Sequence, residues 1–133
     1  MKCKGGKHHE KDGTKIRRGI ILTSMFVVMS SSMVLAARYE DSYGFGELIV
    51  KRSGSQAKAE AMTYTKTSEF TYLFLDVTTY YNDGSEWSTS RTAVGRKASA
   101  QYVGGYEDAD GFESMHRCEN SLHQVGFNCR LSG

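Results

Sequence analysis

The sequence has no proline, three cysteines and one tryptophan among its 133 residues. It also lacks a large excess of either charge, because its formal net charge is only +2. That balance sets aside a strongly basic nucleic-acid-binding domain. Without proline, any exposed strand edge must be guarded by bulges or by charges such as Lys58 and Glu60. Two familiar catalytic patterns are missing as well: no serine lies in a G-x-S-x-G elbow and no H-E-x-x-H occurs. Aromatic residues make up 11% of the chain, which argues against disorder, and the length suits one domain.

Charge is absent from one stretch altogether. Residues 19–37, GIILTSMFVVMSSSMVLAA, carry none, and residues 1–18 before them hold seven lysines and arginines against Glu10 and Asp12. A basic n-region (1–18), an apolar region (19–36) and a small-residue exit at Val34-Leu35-Ala36 form a signal-peptide pattern. Processing is expected after Ala36, or one residue later, so that the mature chain begins at Ala37 or Arg38. The alternative is an uncleaved membrane anchor, since about 20 apolar residues span a bilayer core. Thr23, Ser24 and the Ser30-Ser31-Ser32 run dilute the stretch and favour cleavage. Either way, the positive end stays in the cytoplasm and the rest of the chain is expected to be secreted or held at the cell surface.

Residues 37–133 hold ten lysines and arginines against thirteen aspartates and glutamates. An acidic domain gains nothing from the phosphate atmosphere that drives non-specific nucleic-acid binding, so nucleic acid is not an expected partner. Membrane contact is expected only through an uncleaved N-terminal segment. Removal of that segment takes Cys3 with it and leaves Cys118 and Cys129. Two thiols outside the reducing cytosol are most simply a disulfide, whose loop-closure entropy favours the fold by roughly 2–3 kcal/mol. The competing readings are two free buried thiols or half of a metal site.

The domain reads as strands. GFGELIVKR (44–52) is followed by a Ser-Gly-Ser turn and by QAKAEAMTYTK (56–66). In the latter, Ala57, Ala59, Ala61 and Thr63 alternate with Lys58, Glu60, Met62 and Tyr64, a period-two pattern that competes with good helix propensity. EFTYLFLDVTTYY (69–81) is dense in β-branched and aromatic side chains, and Asn82-Asp83-Gly84-Ser85 is a turn. A long partner strand is expected over 86–102, with Gly95 as a bulge, followed by a loop over 104–111. Strands at 112–118 and 122–131, joined by a turn at 119–121, complete the chain. Six or seven strands with Gly-, Ser- and Asn-rich connections predict an all-β antiparallel domain, either a sandwich or barrel-like. The alanine face would let two sheets approach closely.

Candidate chemistry is sparse. His116 and His123 are the only histidines after position 37, and both are expected at the surface or rim. His116 shares a strand face with Cys118, a nucleophile arrangement only if that thiol is free. Asp76 interrupts an apolar strand without a second carboxylate to make a glycosidase pair. Asp108, Asp110 and Glu113 lie in a D-x-D-G segment with the alternating oxygen donors of a calcium loop, while the competing reading is a solvated acidic loop. All eight tyrosines follow position 37, and Tyr72, Tyr80 and Trp87 are candidates for an aromatic strip suited to stacking. These features favour a non-enzymatic binding domain whose ligand is an envelope glycan, a wall polymer or a protein. A bacteriocin-like or toxin-like polypeptide and a small secreted enzyme are the alternatives.

Overall fold

The computed structural model describes residues 3–5, 20–27 and 32–133, with side chains from residue 33 onward. Ten strands form two antiparallel sheets packed face to face: β1 (Cys3–Gly5), β2 (Ile20–Val27), β3 (Ser32–Glu40), β4 (Gly44–Ser53), β5 (Gln56–Thr65), β6 (Tyr72–Tyr81), β7 (Glu86–Val94), β8 (Ser99–Glu107), β9 (Ala109–Glu119) and β10 (Val125–Ser132). One sheet has the order β1-β10-β9-β6-β7, and the other β2-β3-β4-β5-β8. The sandwich expected from the sequence is therefore the fold, and residues 37–133, where six or seven strands were expected, contain β4 to β10 together with the end of β3. Most of the basic n-region lies outside the described residues.

The alternation in β5 explains how the layers meet. Ala57, Ala59, Ala61 and Thr63 are all buried, while the intervening side chains are half-buried or exposed. Small side chains on this strand, flanked on both sides within its sheet, let the opposite sheet bring Leu73, Leu75, Val77, Phe112 and Leu131 into the interior. Each such large apolar side chain stabilises the fold by roughly 1.5–3 kcal/mol through burial. Phe70 plugs the connection between β5 and β6, with its ring edge-on to Tyr43 at 4.8 Å. The expectation that Lys58 and Glu60 guard an edge is corrected, because β5 is flanked by β4 and β8.

Three further corrections concern connections. Residues 86–102 are not one strand with a bulge. Gly95, at φ +140°, and Lys97, at φ +56°, turn the chain out of the first sheet, so β7 and β8 belong to different layers. Glycine is required at a φ that a side chain would disfavour. Residues 104–111 are not a loop: β8 continues through Glu107, and Asp108 alone, at φ +57°, separates it from β9. The turn after β9 is longer than the expected 119–121, because Asn120 Oδ1 accepts the amides of both Leu122 and Gln124 and delays β10 to Val125.

The expected processing point after Ala36 falls within β3. The two fully buried side chains described in that strand, Ala37 and Tyr39, both lie on its C-terminal side. Tyr39 packs against Phe127 of the opposite sheet at 5.9 Å and donates its hydroxyl to Asp41 at 3.0 Å.

Candidate functional site

His116 is the first polar group that demands an account, because it is fully buried rather than at the rim. Its β9 register places it opposite Leu75 on one side and Cys129 on the other. The ring lies against Gly46 of the facing sheet, where even a Cβ would stand 2.5 Å from the imidazole Cγ. Thr63 Oγ1 lies 2.9 Å from Nδ1 and donates to the Phe74 carbonyl at 3.2 Å, so it accepts from the ring. Nε2 is then free to accept from the Ser114 hydroxyl at 2.7 Å. Burial holds the imidazole neutral and lowers its pKa to about 3. The Ser114–His116 pair resembles an activated serine, yet both residues are 0% exposed and no substrate reaches them. This centre satisfies a polar group inside the core.

Cys118 corrects a second expectation. It is a buried free thiol, and burial pushes its pKa up to about 12. In the ladder Cys118 faces Phe127, while Cys129 faces His116 two positions away. Diagonal neighbours on adjacent strands stand about 7–8 Å apart, beyond the roughly 4 Å between Cβ atoms that a disulfide needs.

The anticipated strip of Tyr72, Tyr80 and Trp87 does not form. Tyr72 and Tyr80 alternate outward along β6, and the Tyr80 hydroxyl lies 3.4 Å from Glu113. Trp87 stands directly opposite buried Thr79, so it is on the other, inner-facing side of the sheet. Asp76 lies on the outer face with the tyrosines and accepts from Ser90 at 2.5 Å. Nor do the calcium candidates converge. Asp108 sits in the turn, Asp110 is exposed, and Glu113 pairs with Arg130 at 3.3 Å. Among the described residues, no three histidine, cysteine or acidic groups form a metal-holding set. His123 is in the β9–β10 turn, at φ +59° and largely exposed.

What the fold does assemble lies at the margin formed by β7 and β8, edge strands of the two sheets. Trp87 remains 46% exposed and its ring is 5.9 Å from that of Tyr106. Tyr106 is fixed from three further directions: Phe112 at 6.3 Å, the edge of Tyr81 at 6.1 Å and a hydroxyl contact with Tyr102. Beside this aromatic group is an open hollow of about 490 Å³ lined by Tyr81, Asn82, Asp83, Ser85, Glu107 and Asp108. Backbone bonds bring its walls together: the Asn82 amide donates to the Asp108 carbonyl at 3.1 Å, and the Asp108 amide to Ser55 at 3.0 Å. A second hollow of about 400 Å³ lies on the other side of Tyr106 and Glu107, reaching Arg52 and Lys58. The Arg52 guanidinium clamps that wall by donating to the carbonyls of Ala109 and Asp110.

Of the expected ligand- and metal-binding residues, Trp87 and Asp108 belong to this margin. Tyr81, Tyr106 and Glu107 were missed, although Ala100, Tyr102, Gly104 and Tyr106 continue one alternating face through the supposed loop. No protein-family model, curated protein or solved structure matches this chain.

Proposed function

We propose that residues 37–133 form an exported, non-catalytic binding domain that takes a glycan at the β7–β8 margin. The observation that carries this reading is the half-exposed Trp87 indole, tilted against Tyr106, whose further ring neighbour Tyr81 lines a hollow of amide, hydroxyl and carboxylate groups. A pyranose has an apolar C–H face that stacks on an aromatic ring, and hydroxyls that bond with acids and amides. The platform is held by its neighbours before a ligand arrives, which reduces the ordering cost of binding. Export through the N-terminal segment, with processing after Ala36, fits a glycan ligand because such polymers lie outside the cell. Such processing removes β1, β2 and the first half of β3 and keeps Ala37 and Tyr39, which are buried in the full chain.

Two measurements test the reading. The full chain and its Trp87→Ala variant are applied to immobilised envelope and wall glycans. The wild type should retain at least one glycan, with affinity roughly 10–100-fold above that of the variant. Failure to bind any glycan, or equal binding by both proteins, overturns it. Amino-terminal sequencing of the exported product should begin at Ala37 or Arg38, and recovery only as full-length membrane-bound material would refute processing.

A further inference from the structure

The glycan reading leaves the charge of the ligand open, and β7 itself addresses it. From Trp87 to Tyr106 the chain has no carboxylate, but carries Arg91, Arg96 and Lys97, in a domain that is otherwise acidic. Arg91 is four residues beyond Trp87 on the same strand face and stands opposite buried Leu75. Four strand residues set the backbone positions of Trp87 and Arg91 roughly 13 Å apart, the span of a short oligosaccharide. Arg91 is exposed although its strand position faces inward, on the edge strand β7 of its sheet. Its positive charge reaches the Tyr102 phenol of β8, where it opposes the upward push of burial and of the Tyr106 hydroxyl.

Its hydrogen bonds are one-sided. Nη1 donates to Thr89 Oγ1 at 3.1 Å and to the Ser90 carbonyl at 2.9 Å. These contacts orient the plane, while Nε and Nη2 have no partner among the described residues, and Arg91 forms no ion pair there. The free Nε–Nη2 edge is the one that grips a carboxylate with two parallel bonds. A lysine at this position would supply charge without that geometry.

Resting on the glycan reading above, we infer that the ligand is an acidic oligosaccharide, with one ring stacked on Trp87 and the carboxylate of a uronate unit held by Arg91. The acidic hollow beside Trp87 then reads hydroxyls, and the cationic stretch towards the Gly95 arch reads the acid.

The test uses tetramers of galacturonate, glucuronate and mannuronate, each with its carboxyl-reduced neutral counterpart, titrated calorimetrically into the full chain. At least one uronate should bind about 10–100-fold more tightly than its neutral partner, as expected for a charge-assisted bidentate contact. Arg91→Gln should remove that preference and leave neutral binding in place. Arg91→Lys should restore only part of it, and Trp87→Ala should weaken both forms. Because Arg91 is exposed, the glutamine variant should keep the wild-type circular dichroism spectrum. Equal or tighter binding of the neutral partners, or a preference that survives Arg91→Gln, overturns the acidic assignment and leaves the glycan reading standing. Binding of none of the six tetramers overturns the assignment, and failure on the immobilised glycans as well overturns both.

Discussion

The middle of the sandwich and its β7–β8 margin both contain polar groups facing inward, and they treat those groups in opposite ways. At His116 both ring nitrogens have partners and solvent is excluded. At the margin Trp87 is half-exposed and Arg91 keeps an unpartnered edge. The contrast separates a polar residue that specifies packing from polar residues free to meet something else. An unpaired buried group would destabilise the fold, whereas an exposed one is solvated until a ligand replaces the water.

The largest expected effect comes from acid. His116 has its pKa lowered from 6.5 to about 3 by burial, so the unfolded chain takes up a proton that the folded chain refuses. Stability is complete above pH 6.5 and falls by about 1.4 kcal/mol per pH unit below it, roughly 4 kcal/mol by about pH 3.5. Burial raises the pKa of the Asp41 carboxyl, which acts with the opposite sign, so urea titrations between pH 6.5 and 5 are diagnostic when run on an Asp41→Asn background. Glu40, held below the usual carboxylate range by its bond from Lys66, and Glu60, by that from Lys51, remain ionised over that interval. A flat profile there would mean that the core histidine accepts a proton, and the contrast between the regions would fail.

Next in size is Gly46→Ala, which should lower stability by roughly 2–3 kcal/mol, since the new methyl meets an imidazole fixed on both sides. Chemical denaturation measures it, and a loss of only a few tenths would show that the ring can move. Cys118→Ala should cost roughly 1–2 kcal/mol as a small cavity. In the native chain the Cys118 thiol should resist alkylation, and in denaturant it should react without prior reduction. A requirement for reductant would restore a disulfide at this position. Trp87→Ala should change stability least, by about 1 kcal/mol, reflecting its partial contact with Tyr106. A loss as large as that at Gly46 would make the margin part of the core.

Much of the layer architecture was legible in the residues themselves. The alternation at Ala57, Ala59, Ala61 and Thr63 marked an inner face against a competing helix propensity, and the structure buries that set. The division between β7 and β8 was harder to read, because a glycine serves a bulge and an arch equally well and only tertiary pairing decides between them. The face of Trp87 depends on a register in which it meets Thr79, and a one-residue slip would have put it with Tyr80. His116 gave no local sign of burial. Its space is made by Gly46, seventy positions earlier in the other sheet, and its polar partner Thr63 lies on a third strand.

Asp108 has a consequence for motion. Its amide is bound to Ser55 and its carbonyl to Asn82, so one residue ties the β4–β5, β6–β7 and β8–β9 turns together. Turns of small polar residues ordinarily open and close independently, and their amides exchange with solvent quickly. Here the opening of one turn breaks a bond to another, so the Asn82 and Asp108 amides should exchange slowly and at similar rates. That end of the domain would then move as a single body, carrying the floor of the hollow beside Trp87 with it.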